Sequence, residues 1–194
     1  MVEAAPRPSA PAPAVVGTDT ALDAGAQPAR VQAAWRVLDG VLDPEVPAVS
    51  VRDLGIVRDV RLQGDMLDVV LTPTYSGCPA TEVIEADVLA AIHAAGLGPA
   101  RVTLQRAPAW TTDWITPQGR ERLRAYGIVP PGAVAPGTEV TLRFMPRAAA
   151  APALECPHCG SPRTERLSAF GSTACKSLYR CLACREPFEH FKPL

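Results

Sequence analysis

Cys156-Pro157-His158-Cys159 and Cys181-Leu182-Ala183-Cys184 are two CxxC knuckles within one short stretch, and they decide how the C-terminal part of this chain folds. Four thiolates at that spacing can wrap one tetrahedral metal ion. The two-residue gap turns backbone N–H groups toward the sulfurs, and the second knuckle closes the site from a hairpin. Pro157 and Gly160 suit the tight turn of the first knuckle. A closed set of four protein ligands points to a structural Zn²⁺, because a catalytic ion keeps a position for water. A rubredoxin-like iron site would use the same four cysteines. Disulfides are the competing use and need an oxidising compartment. The chain opens with no apolar signal run, so a reducing cytoplasm is expected. A ribbon of about 40 residues has too little apolar surface to fold alone. A strong chelator is therefore expected to melt it and spare the rest.

Working outward, the 194-residue chain has room for one further core. Its net charge of −1 gives no general attraction to nucleic acid or acidic lipid. Residues 155–194 carry only a small excess of Lys and Arg over Glu, too little for strong phosphate affinity. No apolar run is long enough to span a membrane. Residues 1–27 are rich in Ala and Pro and are expected to form a disordered leader.

Val31, Ala34, Trp35, Leu38, Val41 and Leu42 recur at helical spacing and predict a helix that Asp43-Pro44 ends. Residues 54–62 and 66–72 read as a hairpin turning at Gln63-Gly64-Asp65. Val83, Ile84, Val88, Ala91, Ile92 and Ala95 mark the core stripe of a second helix, stopped by Gly96. A strand over 101–105 follows, and Thr116-Pro117 opens a short helix closed by Gly127. Val140, Leu142 and Phe144 alternate as a strand, with 148–153 as linker. The expected fold class is α+β. A small two-layer α/β domain over residues 28–147, two helices against a three- or four-stranded sheet, precedes a zinc-ribbon module over 154–194.

Outside the knuckles, Cys78 stands out. Pro79 suits a first helical position, which puts Cys78 at or next to the N-cap. There the helix dipole and unpaired N–H groups favour a thiolate. The competing reading is a small residue packed where a loop meets a helix. Asp43 and Glu45 flank Pro44 and offer hard oxygen ligands or a partner contact, or only a helix terminator. Cys175 is either a buried small hydrophobe or a spare thiol used in metal exchange. Trp110 and Trp114 sit in one short polar loop, as partner anchors or as cover for the edge of a core. His93, His158 and His190 supply no Cys–His or Ser–His–Asp arrangement, and there is no GxxxxGK[ST] or GxGxxG.

Asp43-Pro44-Glu45, Asp53-Leu54-Gly55-Ile56-Val57, Thr72-Pro73-Thr74 and Gly77-Cys78-Pro79 together resemble the SufT-like iron–sulfur assembly family of small α/β proteins. Further stretches extend the likeness to nearly everything beyond the leader. They are Trp110-Thr111-Thr112-Asp113-Trp114-Ile115, Tyr126-Gly127-Ile128-Val129-Pro130-Pro131, Phe170-Gly171-Ser172-Thr173, Cys175-Lys176 and the ribbon. With these included, the chain is similar to the accessory D subunits associated with the bacterial phenylacetyl-CoA epoxidase. The resemblance implies a non-catalytic accessory or maturation factor. It would work beside a multicomponent di-iron oxygenase and its flavin and iron–sulfur reductase, and the partners would be subunits of that system. It carries the family's key cysteine onto Cys78, as a transient iron or iron–sulfur cluster ligand, and the acidic turn onto Asp43 and Glu45. The chain itself lacks the Glu-x-x-His pairs on long helices that a di-iron site needs. Whether Cys78 would act within one chain or across a homodimer stays open. A structural subunit bridging oxygenase components, anchored by Trp110 and Trp114, is the other reading.

Overall fold

The computed structural model describes residues 26–75, 77–132 and 154–193. The leader up to residue 25, the expected strand around Val140 and Phe144 and the linker at 148–153 lie outside them. Helix α1 (Ala26–Leu38) turns Ala34 and Leu38 into the core. It ends before Asp43-Pro44, because the chain already turns at Gly40, whose N–H donates back to the Val37 carbonyl at 3.0 Å. Glycine in a helix interior costs about 1 kcal/mol, so this is the easier place to stop. An irregular turn follows, tied by a single bridge between Leu42 and Ser50.

Strands β1 (Val57–Gln63) and β2 (Met66–Leu71) form the expected antiparallel hairpin, turning at Gly64 with φ +62°. Helix α2 (Thr81–Ala94) carries the chain to β3 (Ala100–Leu104), which pairs parallel with β2 to give the order β1-β2-β3. Ile84, Val88 and Ile92 of α2 and Leu67, Val69 and Leu71 of β2 fill the space between helix and sheet. Val83, read as part of the core stripe, is exposed instead.

Asp68 points to the other face of β2, fully buried beneath charged neighbours. It accepts from Thr103 Oγ1 at 2.6 Å, and from Arg61, Arg101 and Gln63 at 3.1 Å each. Burial works against its ionisation, but the bonds from Thr103, Arg101 and Arg61 outweigh it and hold the carboxyl below the usual 3.8. Its stabilising contribution is thus present above the ordinary carboxylate range and is lost as pH falls through the depressed folded value. Asp68→Ala is expected to cost about 2 kcal/mol at neutral pH, since it removes charge-assisted bonds from a buried acceptor. Thermal unfolding at pH 7 and pH 3 checks this. An equal penalty at both would contradict it.

Helix α3 (Pro117–Ala125) begins as its sequence predicts: Thr116 Oγ1 accepts from the Gly119 N–H at 2.9 Å and Pro117 takes the first turn. Asp53 ties this helix to the loop before β1. Its carboxylate accepts from the Ser50 N–H at 3.1 Å and from Arg122 at 2.6 Å. Next to it Gly55, at φ +67°, leaves room for Trp114, whose carbonyl would lie 2.6 Å from an added Cβ. The Asp53-Leu54-Gly55 motif is therefore a structural clamp.

The ribbon sheet has the order β4-β7-β6-β5: β4 (Ile128–Val129), β5 (Thr164–Ser168), β6 (Lys176–Cys181) and β7 (Pro187–Phe191). Strands β5, β6 and β7 pair antiparallel, whereas β4 runs parallel to β7 and reaches it from the end of α3. Phe191, at the end of β7, belongs to the main core, where its ring lies 5.9 Å from that of Trp110. Tyr179, Phe188, Cys156 and Cys181 form a second, small core around the knuckles. Among the described residues no helix is long and apolar enough to cross a membrane.

Candidate functional site

The four knuckle cysteines converge, with all four sulfurs within 4.8 Å of one another. Cys156 and Cys184 stand 3.7 Å apart, and Cys159 and Cys181 stand 3.6 Å apart. Four sulfurs at about 2.3 Å from one tetrahedral ion would be separated by roughly 3.8 Å, so the donor set fits a closed zinc-type site. These distances are far beyond a sulfur–sulfur bond of about 2.05 Å. The backbone shapes the site. Gly160, at φ +71°, donates to the Cys156 carbonyl at 2.8 Å, and the Ala183 N–H points at Cys181 Sγ at 3.3 Å. Burial opposes ionising Cys181, yet the N–H groups of Cys184 and Ala183 and the neighbouring thiols outweigh it and bring it to about 6. Cys184 gains from the Glu186 N–H but is pushed up to about 12 by burial and the surrounding sulfurs. An incoming metal must displace the remaining protons, so binding weakens in acid. His190 stays outside the cluster, buried edge-on to Tyr179 at 5.8 Å.

The other candidates meet where the α/β part touches the ribbon. A cavity of about 20 Å³ is lined by Asp43, Glu45 and Cys78 from the one side and by Cys175 and Phe191 from the other. Cys78 sits ahead of α2 rather than at its cap. The N-cap is Ala80, and Cys78 spends its carbonyl on Thr81 Oγ1 at 2.9 Å. The expected easy thiolate is not found. Burial pushes the Cys78 thiol up, and the carboxylates of Glu45 and Asp43 raise it further against the Ala80 N–H. Asp43 explains its own turn: one carboxylate oxygen accepts from the N–H groups of Glu45 at 2.9 Å and Val46 at 2.8 Å. Burial raises its pKa despite those bonds, and burial followed by the Asp43 charge raises that of Glu45.

The two loop tryptophans separate. Trp110 is buried and donates its indole N–H to the Leu54 carbonyl at 2.9 Å, so its ring is core and not a partner anchor. Trp114 is half-buried under the Arg58 guanidinium, 3.5 Å from the ring centre. Sequence reading missed Lys176. Its ammonium is buried, pairs with Glu189 at 2.9 Å, and acts on Asp43, Glu45 and Cys175. The available signal was scarcity, since Lys176 and Lys192 are the chain's only lysines.

Comparison with known proteins matches both halves of this arrangement. Residues 31–104, which hold Asp43, Glu45 and Cys78, match the iron–sulfur cluster assembly protein family, and residues 145–192 match the PaaD zinc beta ribbon domain. Among solved structures, a domain of unknown function from Bacillus anthracis is 25% identical with a TM-score of 0.48, covering 52% of this chain and 97% of its own. A Mycobacterium tuberculosis protein associated with Fe–S complex assembly and repair is 36% identical with a TM-score of 0.30, covering 57% and 93%. A relative from Escherichia coli (strain K12), provisionally named among the D subunits of 1,2-phenylacetyl-CoA epoxidase, is 47% identical over 165 residues, 85% of this chain and 94% of the relative. At that identity and coverage, with an iron–sulfur assembly segment joined to the four-cysteine ribbon, the chain belongs to the family of phenylacetyl-CoA epoxidase D subunits.

Proposed function

We propose that the chain is a non-catalytic accessory factor of the phenylacetyl-CoA epoxidase system that handles iron, or an iron–sulfur cluster, at Cys78. The observation that carries this reading is the meeting of Cys78 with Asp43 and Glu45 at one cavity within the iron–sulfur assembly segment. Soft sulfur beside hard oxygen suits iron, which accepts both. In this reading residues 28–147 handle the cargo, and residues 154–194 form a ribbon held by structural Zn²⁺ on Cys156, Cys159, Cys181 and Cys184. The recipient would be the oxygenase or the reductase component, in the cytoplasm. The raised thiol pKa suits transfer, because an uncharged thiol does not hold metal until the metal displaces its proton.

Anaerobic purification of wild type beside Cys78→Ser tests the reading. Wild type is expected to carry iron in addition to one ribbon metal per chain. The variant should keep the ribbon metal, lose the iron, and leave co-expressed epoxidase with at least tenfold less activity. Equal iron and equal epoxidase activity in both would sink the proposal.

The structural-bridge reading has one observation in its favour. Trp114 lines an open groove of about 510 Å³ with Trp35, Arg36, Arg52 and Arg58, a cationic and aromatic surface of the kind found at protein contacts. Under that reading Cys78→Ser is harmless and Trp114→Ala releases the partner.

A further inference from the structure

Cys175 has no part in the ribbon's metal cluster, although it lies on the ribbon between the knuckles. It faces the α/β unit instead. The 20 Å³ cavity and a second one of about 50 Å³ share Glu45, Thr74, Cys78 and Cys175, so the two thiols line the same two spaces from opposite sides of the seam. Glu45 stands near enough to both for its charge to act on each. The Cys175 side chain is held in place: Thr173 Oγ1 lies 3.0 Å from its sulfur, and its carbonyl accepts the Lys192 N–H at 2.9 Å. The next residue, Lys176, is anchored through its pair with Glu189, which also accepts the Ser172 N–H at 2.6 Å.

We propose that Cys78 and Cys175 form a two-thiol site across the seam between the α/β unit and the ribbon, with Glu45 as the adjoining carboxylate, that takes one thiophilic divalent metal ion. This deepens the reading of Cys78 as an iron ligand and rests on it. The size of the space favours a single ion. A water molecule needs about 10–15 Å³ of such volume, so the 20 Å³ space matches one small ion. On binding, each sulfur gives its proton to solvent and forms one bond to the ion, and no electron is transferred. Among the described residues only the ribbon cysteines bring three or more donor atoms within 4.8 Å of one another. The seam site is looser, so the ion itself draws the two sulfurs together, which suits cargo that must also leave.

Cobalt(II) is the probe, because thiolate coordination gives it an absorption band. Full-length protein with its ribbon filled by zinc is titrated anaerobically with Co²⁺, as wild type, Cys78→Ser, Cys175→Ser and Cys175→Ala. Retained zinc and unchanged melting certify that each variant is folded. The expected result is one cobalt per wild-type chain with a sulfur-to-cobalt band that all three variants lose. A band lost in Cys78→Ser but kept in both Cys175 variants overturns the two-thiol site and leaves the Cys78 reading standing. A band absent from wild type, or kept in every variant, overturns both.

Discussion

Removing the metal from the full-length chain with a strong chelator is expected to melt the ribbon and to loosen the α/β unit with it. Structural zinc contributes on the order of 10 kcal/mol to small ribbon-type domains, and the small core of Tyr179 and Phe188 cannot replace that. The sequence alone suggests that the damage would stop at the ribbon. Among the described residues the two parts meet where β4 pairs with β7, where Phe191 fills the main core, where Cys175 packs against that core, and where His158 of the first knuckle lies against Gly127 beyond α3. Apo protein should therefore show faster amide exchange in β6 and β7 first, then a red shift of tryptophan emission as Trp110 loses Phe191. Retained exchange protection in the ribbon would contradict the metal's role. Ribbon melting with Trp110 emission unchanged would contradict the coupling.

Phe191→Ala tests the same coupling with the metal in place. Phe191 is almost wholly buried, in the core that holds Leu38, Leu54 and Trp110. Deleting such a ring costs about 3–5 kcal/mol, the lost transfer energy plus the cavity left behind. Chemical denaturation should show a loss of about 4 kcal/mol in the unfolding of the α/β unit, while the four ribbon cysteines still bind one metal ion. A loss below about 1 kcal/mol would mean that the ring merely rests on the core.

What could be read from the sequence was local. Two knuckles, a hairpin at Gly64 and a capped helix at Thr116-Pro117 each depend on neighbours a few residues apart, and each forms as expected. Helix α1 ends earlier than Asp43-Pro44 predicts, because the backbone turns first at Gly40. Nearness to a helix start predicts an activated thiolate at Cys78. Burial and the charges of Glu45 and Asp43 raise its pKa instead, and those carboxylates lie far away along the chain. Trp110 and Trp114 are chemically alike in one short loop, and distant segments distinguish core from surface: the Leu54 carbonyl and the Phe191 ring meet Trp110, whereas Arg58 covers Trp114. The pairing of Cys78 with Cys175 was illegible for the same reason: periodicity reports which face a residue takes, not which distant segment covers it.

The parallel pairing of β4 with β7 bears on how this protein could be rearranged. The ribbon sheet takes its outer strand from Ile128 and Val129, which precede the knuckles and continue directly from α3. A ribbon excised at residue 154 would carry away a naked edge along β7 and a bare Phe191 ring, the features that invite strand addition and aggregation. The ribbon is thus no portable cassette, and shuffling it onto another host would demand a substitute for both the missing strand and the vacated core.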